Sequence, residues 1–306
     1  MIYRDRMQEV ETQRDAGNTV LTETEWMPLR EAHLARLKPV IDAHLQRASL
    51  GIKHPVMDFL FTYYPYSAAQ LMRWTPGWGV TLTGNIPPEL AALKEAETTE
   101  DGWTLRIERL PERRRKALDW ISDFLETTAN RPPRFGCFGL HEWAMVYRAP
   151  EVRHPQLPLR LSPGETARVV ETLPVNCSHY DAFRFFTPDA RPLNRLQPTR
   201  DGQIELDQPG CLHANMDLYK WAQQFYPWIS SDLIADCFAL AVAIREVDMR
   251  ASPYDVTGYG LAPIPIETPT GREDYVAYQQ EFTRRAQPLR QRLRDACNAL
   301  RNAGTG

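Results

Sequence analysis

One long apolar segment with helical periodicity constrains the fold of this chain more than any other feature. In SSDLIADCFALAVAIREVDMRASPYD, residues 230–255, apolar side chains recur at intervals of three and four. This spacing predicts a helix with one side facing a core. The predicted core positions are Leu233, Cys237, Leu240, Ile244 and Val247. The Ser-Pro pair at 252–253 predicts the end of the helix, because proline disfavours helical backbone in the preceding residue.

The other segments add further helices and a few short strands. Helical periodicity and capping residues predict long helices over about 24–48, 111–130, 162–173, 209–227 and 273–302, and short ones within 54–74 and 140–148. Alternation predicts strands in TLRIERL (104–110) and VNCSHYDAFRFF (175–186). We therefore predict a mainly α, single compact domain over residues 21–303, after a flexible N-terminus at 1–20. An α+β fold is the alternative, and a subdomain junction near residue 135 stays open.

Several protein classes are disfavoured by composition. No run of about 18 apolar residues is present, which argues against a membrane span. The charged N-terminal segment lacks the apolar core of a signal peptide, so we expect a cytoplasmic protein. Its five cysteines form no CxxC pair, which favours reduced thiols over a disulfide framework.

The basic residues of this chain are mostly arginines. The net charge is −3, and of 36 basic residues five are lysines and 31 are arginines. Arginine makes bidentate contacts to phosphate that lysine cannot make, but a GC-rich genome favours arginine as well. The composition therefore permits DNA binding without demonstrating it.

Four segments combine polar, charged and aromatic residues where a simple core would be apolar. They are FGLHEWAMVYR (138–148), SHYDAFRFF (178–186), CLHANMDLYKW (211–221) and REVDMRASPYD (245–255). In the third, His213 and Asp217 are four residues apart on one predicted helical face, a spacing suited to a general base and its carboxylate partner. The structural alternative is a histidine satisfied by ordinary packing.

The other segments offer carboxylates and aromatic rings. Asp248 lies in the last turn of the long helix, where the dipole disfavours a carboxylate, so Arg245 or Arg250 should compensate. In the second segment, His179 and Asp181 share the predicted strand face. Arg184 points to the other side among aromatic rings, and Trp143 and Tyr147 at i and i+4 are a candidate stacking wall. Internal ion pairs and core packing are the structural alternatives.

Cofactor motifs are absent from the sequence. Cys137/His141, Cys177/His179 and Cys211/His213 each bring sulfur near imidazole, but CxxC and HExxH are missing. GxGxxG, GxxxxGK[ST] and GxSxG are also missing. We therefore expect no metal, no nucleotide cofactor and no serine nucleophile.

Long stretches of the chain resemble a known family. HPVMDFLFTYYPYSAAQLMRW, RPPRFGCFGLHEWAMVYR, HYDAFRFFTPDARPLN, QPGCLHANMDLYKWA and DMRASPYD resemble bacterial proteins, many of them actinobacterial, that are named 3-methyladenine DNA glycosylases. The resemblance runs from about residue 20 to 300 and implies excision of a base from DNA. The helix-hairpin-helix turn with its aspartate, and the signatures of the alkyladenine and uracil enzymes, are missing, so no catalytic residue is carried over. A role similar to that of the glycosylases that excise hypermodified cytosine from phage DNA is a further hypothesis.

Base excision requires a pocket for the flipped base, cations for the phosphates and a carboxylate for the sugar cation or water. We predict Asp248 or Asp217 as the carboxylate, with Asp181 as the next candidate, and His179 or His213 to orient water or protonate the base. The predicted base-pocket residues are His141, Glu142, Trp143, Tyr147, Tyr180, Asn215, Lys220 and Trp221. The predicted phosphate contacts are Arg184, Arg250, Arg284 and Arg285. A variant of this mechanism uses Lys220 as a Schiff-base nucleophile.

Two other functions remain open at this stage. The first is a hydrolase of a small nucleoside-like metabolite, with or without a metal, which the net charge favours. The second is a non-catalytic DNA-binding module.

Overall fold

The structure is a computed structural model that describes residues 19–304, and the predicted mainly α fold is confirmed. Its helices are α1 (Glu23–Ser49), α2 (Phe59–Tyr63), α3 (Ala68–Leu71), α4 (Pro88–Ala91), α5 (Glu112–Asn130), α6 (Leu140–Ala144), α7 (Pro163–Thr172), α8 (Tyr180–Phe183), α9 (Gln203–Leu206), α10 (Leu212–Met216), α11 (Leu218–Gln224), α12 (Ser231–Ala251) and α13 (Pro269–Ala303). Short 3-10 helices lie at Ile107–Arg109, Arg191–Leu193 and Thr257–Tyr259. Within residues 19–304, no helix has the length and apolar character to cross a bilayer.

A small four-stranded sheet completes the fold. The strands are β1 (Thr19–Leu21), β2 (Val80–Leu82), β3 (Ala96–Thr99) and β4 (Gly102–Leu105), in the spatial order β1-β2-β4-β3. β1 is parallel to β2, whereas β4 is antiparallel to both β2 and β3. Of the flexible segment predicted at 1–20, residues 1–18 lie outside the described residues, and Thr19 and Val20 belong to β1.

Helix α12 is the central element of the core. Its predicted core positions are all buried, and the helix packs against α1, α10, α11 and α13. The Ser230 hydroxyl accepts a hydrogen bond from the amide of Leu233, so the helix has a side-chain N-cap. It ends at Ala251, directly before the Ser-Pro pair, as predicted. Because α12 is buried on most sides, its last two turns carry Arg245 and Asp248 into the protein interior.

The strand predicted over residues 175–186 is wrong. The carbonyl of His179 accepts hydrogen bonds from the amides of Ala182 (3.3 Å) and Phe183 (3.0 Å), which closes the short helix α8. Within the described chain, this segment has only an isolated bridge from Val175 to Asn194. Alternating side chains in a short aromatic segment do not separate a strand from a helical turn, because local hydrogen bonds can satisfy the backbone equally well.

The single helix predicted over residues 209–227 is also wrong. It is divided into α10 and α11 at Asp217, which ends the first helix and begins the second with φ −68° and ψ −9°. The strand predicted over 104–110 extends only to Leu105 and continues as a 3-10 helix. The remaining predicted helices occur within a few residues of their expected bounds.

Candidate active site

Three histidines from separate elements line one cavity. His141 lies on α6, His179 directly precedes α8 and His213 lies on α10, and all three border a cavity of about 260 Å³. The rings of His141 and His213 meet edge to face with centroids 4.5 Å apart, and those of His179 and His213 stack at 5.4 Å. The other lining residues are Arg134, Gly136, Cys137, Asn176, Cys177, Ser178, Leu196, Gln208 and Cys211.

A reversal of the chain before α6 positions His141. Gly139 has a φ of +72°, a conformation that glycine adopts without strain, and a Cβ added there would contact Ala251 and Tyr275 at 3.4 Å. This turn brings the first residues of α6 against the end of α12. His141 therefore faces Asp248 across the helix–helix contact.

The Asp248 cluster consists of His141, Glu142, Arg245 and Asp248, and all four are almost fully buried. His141 Nε2 lies 3.1 Å from Asp248 Oδ1, and Arg245 Nη1 donates to Asp248 Oδ2 (3.1 Å) and Glu142 Oε1 (2.9 Å). Of the two arginines expected to compensate Asp248, it is Arg245 that does so, because Arg250 donates to the carbonyl of Ala262 instead. Burial raises the pKa of Asp248, but His141 and Arg245 outweigh it and hold this pKa well below its usual range.

The Asp217 cluster consists of His179, Asp181, Asp207, Asp217 and Lys220. His179 Nδ1 lies 3.1 Å from Asp207 Oδ1, so an N–H there donates to the carboxylate. Burial lowers the pKa of His179, but the Asp207 and Asp217 carboxylates outweigh burial and raise it above the ordinary value. His179 Nε2 in turn lies 3.7 Å from Asp217 Oδ2. Asp217 is almost fully buried, and its Oδ1 accepts a 2.7 Å hydrogen bond from the Tyr64 hydroxyl.

Lys220 is held between two carboxylates of this cluster. Its Nζ lies 3.1 Å from Asp181 Oδ2 and 3.3 Å from Asp217 Oδ2. Burial lowers the pKa of Lys220, but the two carboxylates outweigh burial, so its pKa is raised above the ordinary value. The amine is therefore a protonated ion-pair partner near neutral pH.

His213 lies between the two clusters without belonging to either. Burial, together with the facing His141, holds the pKa of His213 well below its ordinary value, so this ring is neutral. The predicted side-chain pairing of His213 with Asp217 is not formed, because Asp217 accepts hydrogen bonds from Tyr64 and Lys220 instead.

Some buried polar atoms of these clusters have no hydrogen-bond partner within residues 19–304. They include His141 Nε2, His179 Nε2 and Asp248 Oδ1. The short contact of His141 Nε2 with Asp248 Oδ1 is thus an ion-pair distance without hydrogen-bond alignment. Two groups have ligand atoms close enough for a metal ion, all within 4.8 Å of one another: His141, His213 and Asp248, and His179, Asp181 and Asp217.

A second cavity, of about 400 Å³, is lined by arginines. Arg131, Arg290 and Arg294 border it, and its described lining holds no acid. Arg290 is 3% exposed and donates a 2.5 Å hydrogen bond to Asn215 Oδ1, and burial lowers its pKa to about 10. The two cavities border the same two chain segments, one around Arg134 and the other around Gln208. The side-chain amide of Gln208 joins these segments, because it accepts a hydrogen bond from Arg134 N and donates one to Arg134 O.

Three of the four aromatic residues predicted to stack on a base lie in the core. Trp143 is fully buried, and its indole N–H donates to the carbonyl of Ala251. The Tyr147 hydroxyl donates to Glu171, and Trp221 is packed against Trp120 and Phe124. Tyr180 is half-buried on α8. None of these four residues lines the histidine cavity.

The polar residues predicted to contact DNA have protein partners. The side-chain N–H of Asn215 donates a hydrogen bond to the carbonyl of Pro209, and its Oδ1 accepts one from Arg290. Arg184 is 45% exposed and pairs with Asp181 at 3.1 Å. Arg284 pairs with Glu281, while Arg285 stacks on Phe282. Asp207 and Arg290, which our sequence analysis missed, lie in a polar loop and on an arginine-rich helix where no pattern distinguishes them from solvated residues.

No protein-family model matches this chain, and comparisons with curated proteins and with solved structures find no match either.

Proposed function

We propose that the protein is a hydrolase that cleaves the N-glycosidic bond of a modified base in DNA. The observation that carries the proposal is the pair of neighbouring cavities of unlike chemistry, one lined by histidines and the other by arginines. A flipped nucleotide has the same division between a planar, hydrogen-bonding base and an anionic phosphate.

The histidine cavity has the dimensions of a base pocket. Its volume of about 260 Å³ is just below the range of about 300–1,000 Å³ typical of pockets for drug-sized ligands. A single ring system therefore suits it better than a whole nucleotide. Imidazole nitrogens, the Ser178 hydroxyl and the Asn176 amide supply donors and acceptors for a base edge.

The arginine cavity suits phosphate. Arginine forms bidentate contacts with phosphate oxygens, and its guanidinium keeps its charge. Arg290 is an uncommon feature there, because a buried cation normally has an anionic partner within ion-pair distance. Among the described residues its one hydrogen bond is to Asn215, and the Asp207 carboxylate acts on it only at longer range. A phosphate next to the flipped base would provide a direct anionic partner.

The proposed reaction is hydrolysis at the sugar C1′ atom. A bond forms between the water oxygen and C1′, the C1′–N bond breaks, and the base leaves with the bonding electrons and takes up a proton. The imidazoles of His141, His179 and His213 are the groups that face the substrate. Asp217 and Asp248 do not line the cavity, so they act through the histidines as positioning residues.

The test is strand scission by alkali after DNA is incubated with the protein, because an abasic site breaks under alkali. The panel contains methylated, deaminated and glucosylated-hydroxymethylcytosine DNA. We expect breaks on one substrate, and a loss of at least about 100-fold for Asp217→Asn and Asp248→Asn, with Asp201→Asn on an exposed loop as the matched control. Full activity of both folded variants would remove these residues from the mechanism, and an intact panel would refute the proposal.

A hydrolase of a small nucleoside-like molecule is the second candidate. The net charge of −3 and the small size of the histidine cavity favour it, since a DNA-binding surface is usually basic. Cleavage of free nucleosides together with an intact DNA panel would support this candidate. DNA that is retained but left intact would instead support a non-catalytic binding module.

A further inference from the structure

We infer that His141, His213 and Asp248 bind one divalent transition-metal ion at the inner wall of the histidine cavity. The inference does not depend on the substrate proposed above. It differs from our sequence-based expectation of no metal, which followed from the absence of CxxC and HExxH.

The positions of the ligand atoms carry the inference. The donor atoms of the three residues lie within 4.8 Å of one another. Ligands on one ion, each at about 2.0–2.2 Å, can be separated by up to about 4 Å, so a small side-chain adjustment brings all three to the ion. His141 Nε2 and Asp248 Oδ1 are buried, lie 3.1 Å apart and have no hydrogen bond within residues 19–304, as expected for two ligands that share one cation.

The buried charges of the Asp248 cluster are also compatible with a bound cation. Asp248 and Glu142 carry two negative charges and Arg245 one positive charge, so one further positive charge, from a proton on His141 or from a metal ion in its place, balances the cluster. A metal ion between Asp248 Oδ1 and the two histidines would take the place of that proton.

The second group of possible metal ligands, His179, Asp181 and Asp217, already has cationic side chains beside it. The Lys220 ammonium lies 3.1 Å and 3.3 Å from Asp181 and Asp217, and Arg184 lies 3.1 Å from Asp181. An ion there would have to displace or repel these groups. The Asp217 cluster is therefore a natural comparison in which similar residue types do not need a metal.

The surroundings of the three ligands are those of a metal site. Arg245 donates hydrogen bonds to Asp248 Oδ2 and to Glu142. These bonds orient the Asp248 carboxylate, whose Oδ1 has no hydrogen bond within residues 19–304. Two imidazoles and one carboxylate suit zinc or ferrous iron, and three protein ligands leave a position open. His141 and His213 both line the cavity, so a water on that open position would face the proposed base pocket. The metal would lower the pKa of this water and supply the nucleophile.

The test is metal binding by protein that was expressed and purified without a His tag. We expect elemental analysis to find about one zinc or iron ion per chain. Cobalt(II) added to the chelator-treated protein should give visible absorption bands at one equivalent. His213→Gln and Asp248→Asn should weaken cobalt binding at least about 100-fold, whereas Asp181→Asn, in the comparison cluster, should bind as the wild type does.

Two outcomes would overturn the inference. A folded wild-type protein that takes up neither metal nor cobalt has no such site, and circular dichroism establishes the folding. Binding lost in Asp181→Asn but kept in His213→Gln would place the ion in the Asp217 cluster. A bound metal with intact DNA would refute the glycosylase proposal alone, so the two proposals fail separately.

Discussion

At the scale of single residues, the chemistry open to Lys220 depends on its neighbours. Its place inside a polar motif made it a candidate Schiff-base nucleophile, which requires an unprotonated amine. Asp181 and Asp217 lie 3.1 Å and 3.3 Å from Nζ and hold the amine protonated. The residue is better suited to fix the two carboxylates than to attack a sugar.

We therefore predict that Lys220 forms no covalent adduct with DNA. Borohydride added during excision should trap no protein–DNA complex on a denaturing gel, and Lys220→Arg should keep most of the excision activity because it keeps the positive charge. An adduct that forms with the wild type and disappears in Lys220→Arg would contradict this prediction.

The sequence identified the titratable residues of the site and Arg245 as a partner of Asp248, but not the other partners. His141, His179, His213, Asp217 and Asp248 were all expected, because histidines and acids inside apolar segments are conspicuous. The cavity brings the three histidines together, whereas the expected partner of His213, Asp217, is bound by Tyr64 and Lys220. Contacts between residues far apart in the sequence, such as His179 with Asp207, leave no local pattern.

At the scale of elements, the beginning of α13 depends on a glycine. Gly271 is buried in the first turn of the helix, and a Cβ there would overlap the carbonyl group of Pro265. The clash is with backbone atoms, so no side-chain rotation can relieve it.

We predict that Gly271→Ala lowers the free energy of unfolding by about 1–3 kcal/mol, as measured by urea denaturation. Gly164→Ala is the matched control, because Gly164 also lies in a first helical turn and its added Cβ would contact nothing within 4 Å. The control should be neutral or stabilising by about 0.4–1 kcal/mol. Equal effects of the two substitutions would contradict the account.

Helix α1 carries a buried histidine that should make stability depend on pH. Burial lowers the pKa of His33 to about 4, although a hydrogen bond to the Leu71 carbonyl partly opposes this. Between pH 6.5 and 4 the unfolded chain binds a proton that folded His33 does not bind, so the free energy of unfolding falls as pH is lowered through this range.

The predicted loss from His33 is at most about 3 kcal/mol, and it should be absent in His33→Gln. Urea denaturation of both proteins at several pH values between 4 and 7 measures it. Parallel pH profiles for the two proteins would show that His33 is not buried in its neutral form.

The helices that could be predicted from the sequence are those with long periodic patterns or side-chain caps. Helix α12 has both, and α7 begins at a Ser162 N-cap with a capping box. The short helix α8 and the break at Asp217 were missed because four or five residues contain too little periodicity to decide between a turn, a strand and a helix.

At the scale of the whole molecule, the net charge does not describe how charge is distributed locally. The chain carries a net charge of −3, yet the arginine cavity beside the histidine cavity has no acid in its described lining. Local potential rather than net charge determines where an anion binds.

We predict that Arg131→Gln and Arg294→Gln each weaken DNA binding and reduce the slope of log affinity against log salt by about 1. Fluorescence anisotropy with labelled DNA at several salt concentrations measures both quantities. Arg284→Gln is the control, because Arg284 pairs with Glu281 and does not line this cavity. A control variant that loses as much affinity would indicate diffuse attraction in place of a phosphate site.

Release of a free base is the most direct test of the histidine cavity as the place where a DNA base is excised. The protein is incubated with the substrate panel, the DNA and protein are removed by filtration, and the filtrate is analysed by mass spectrometry. We predict one modified base in the filtrate of the wild type and of Asp201→Asn, and at least about 100-fold less with Asp248→Asn. A filtrate without any base, from a folded wild-type protein, would contradict the account.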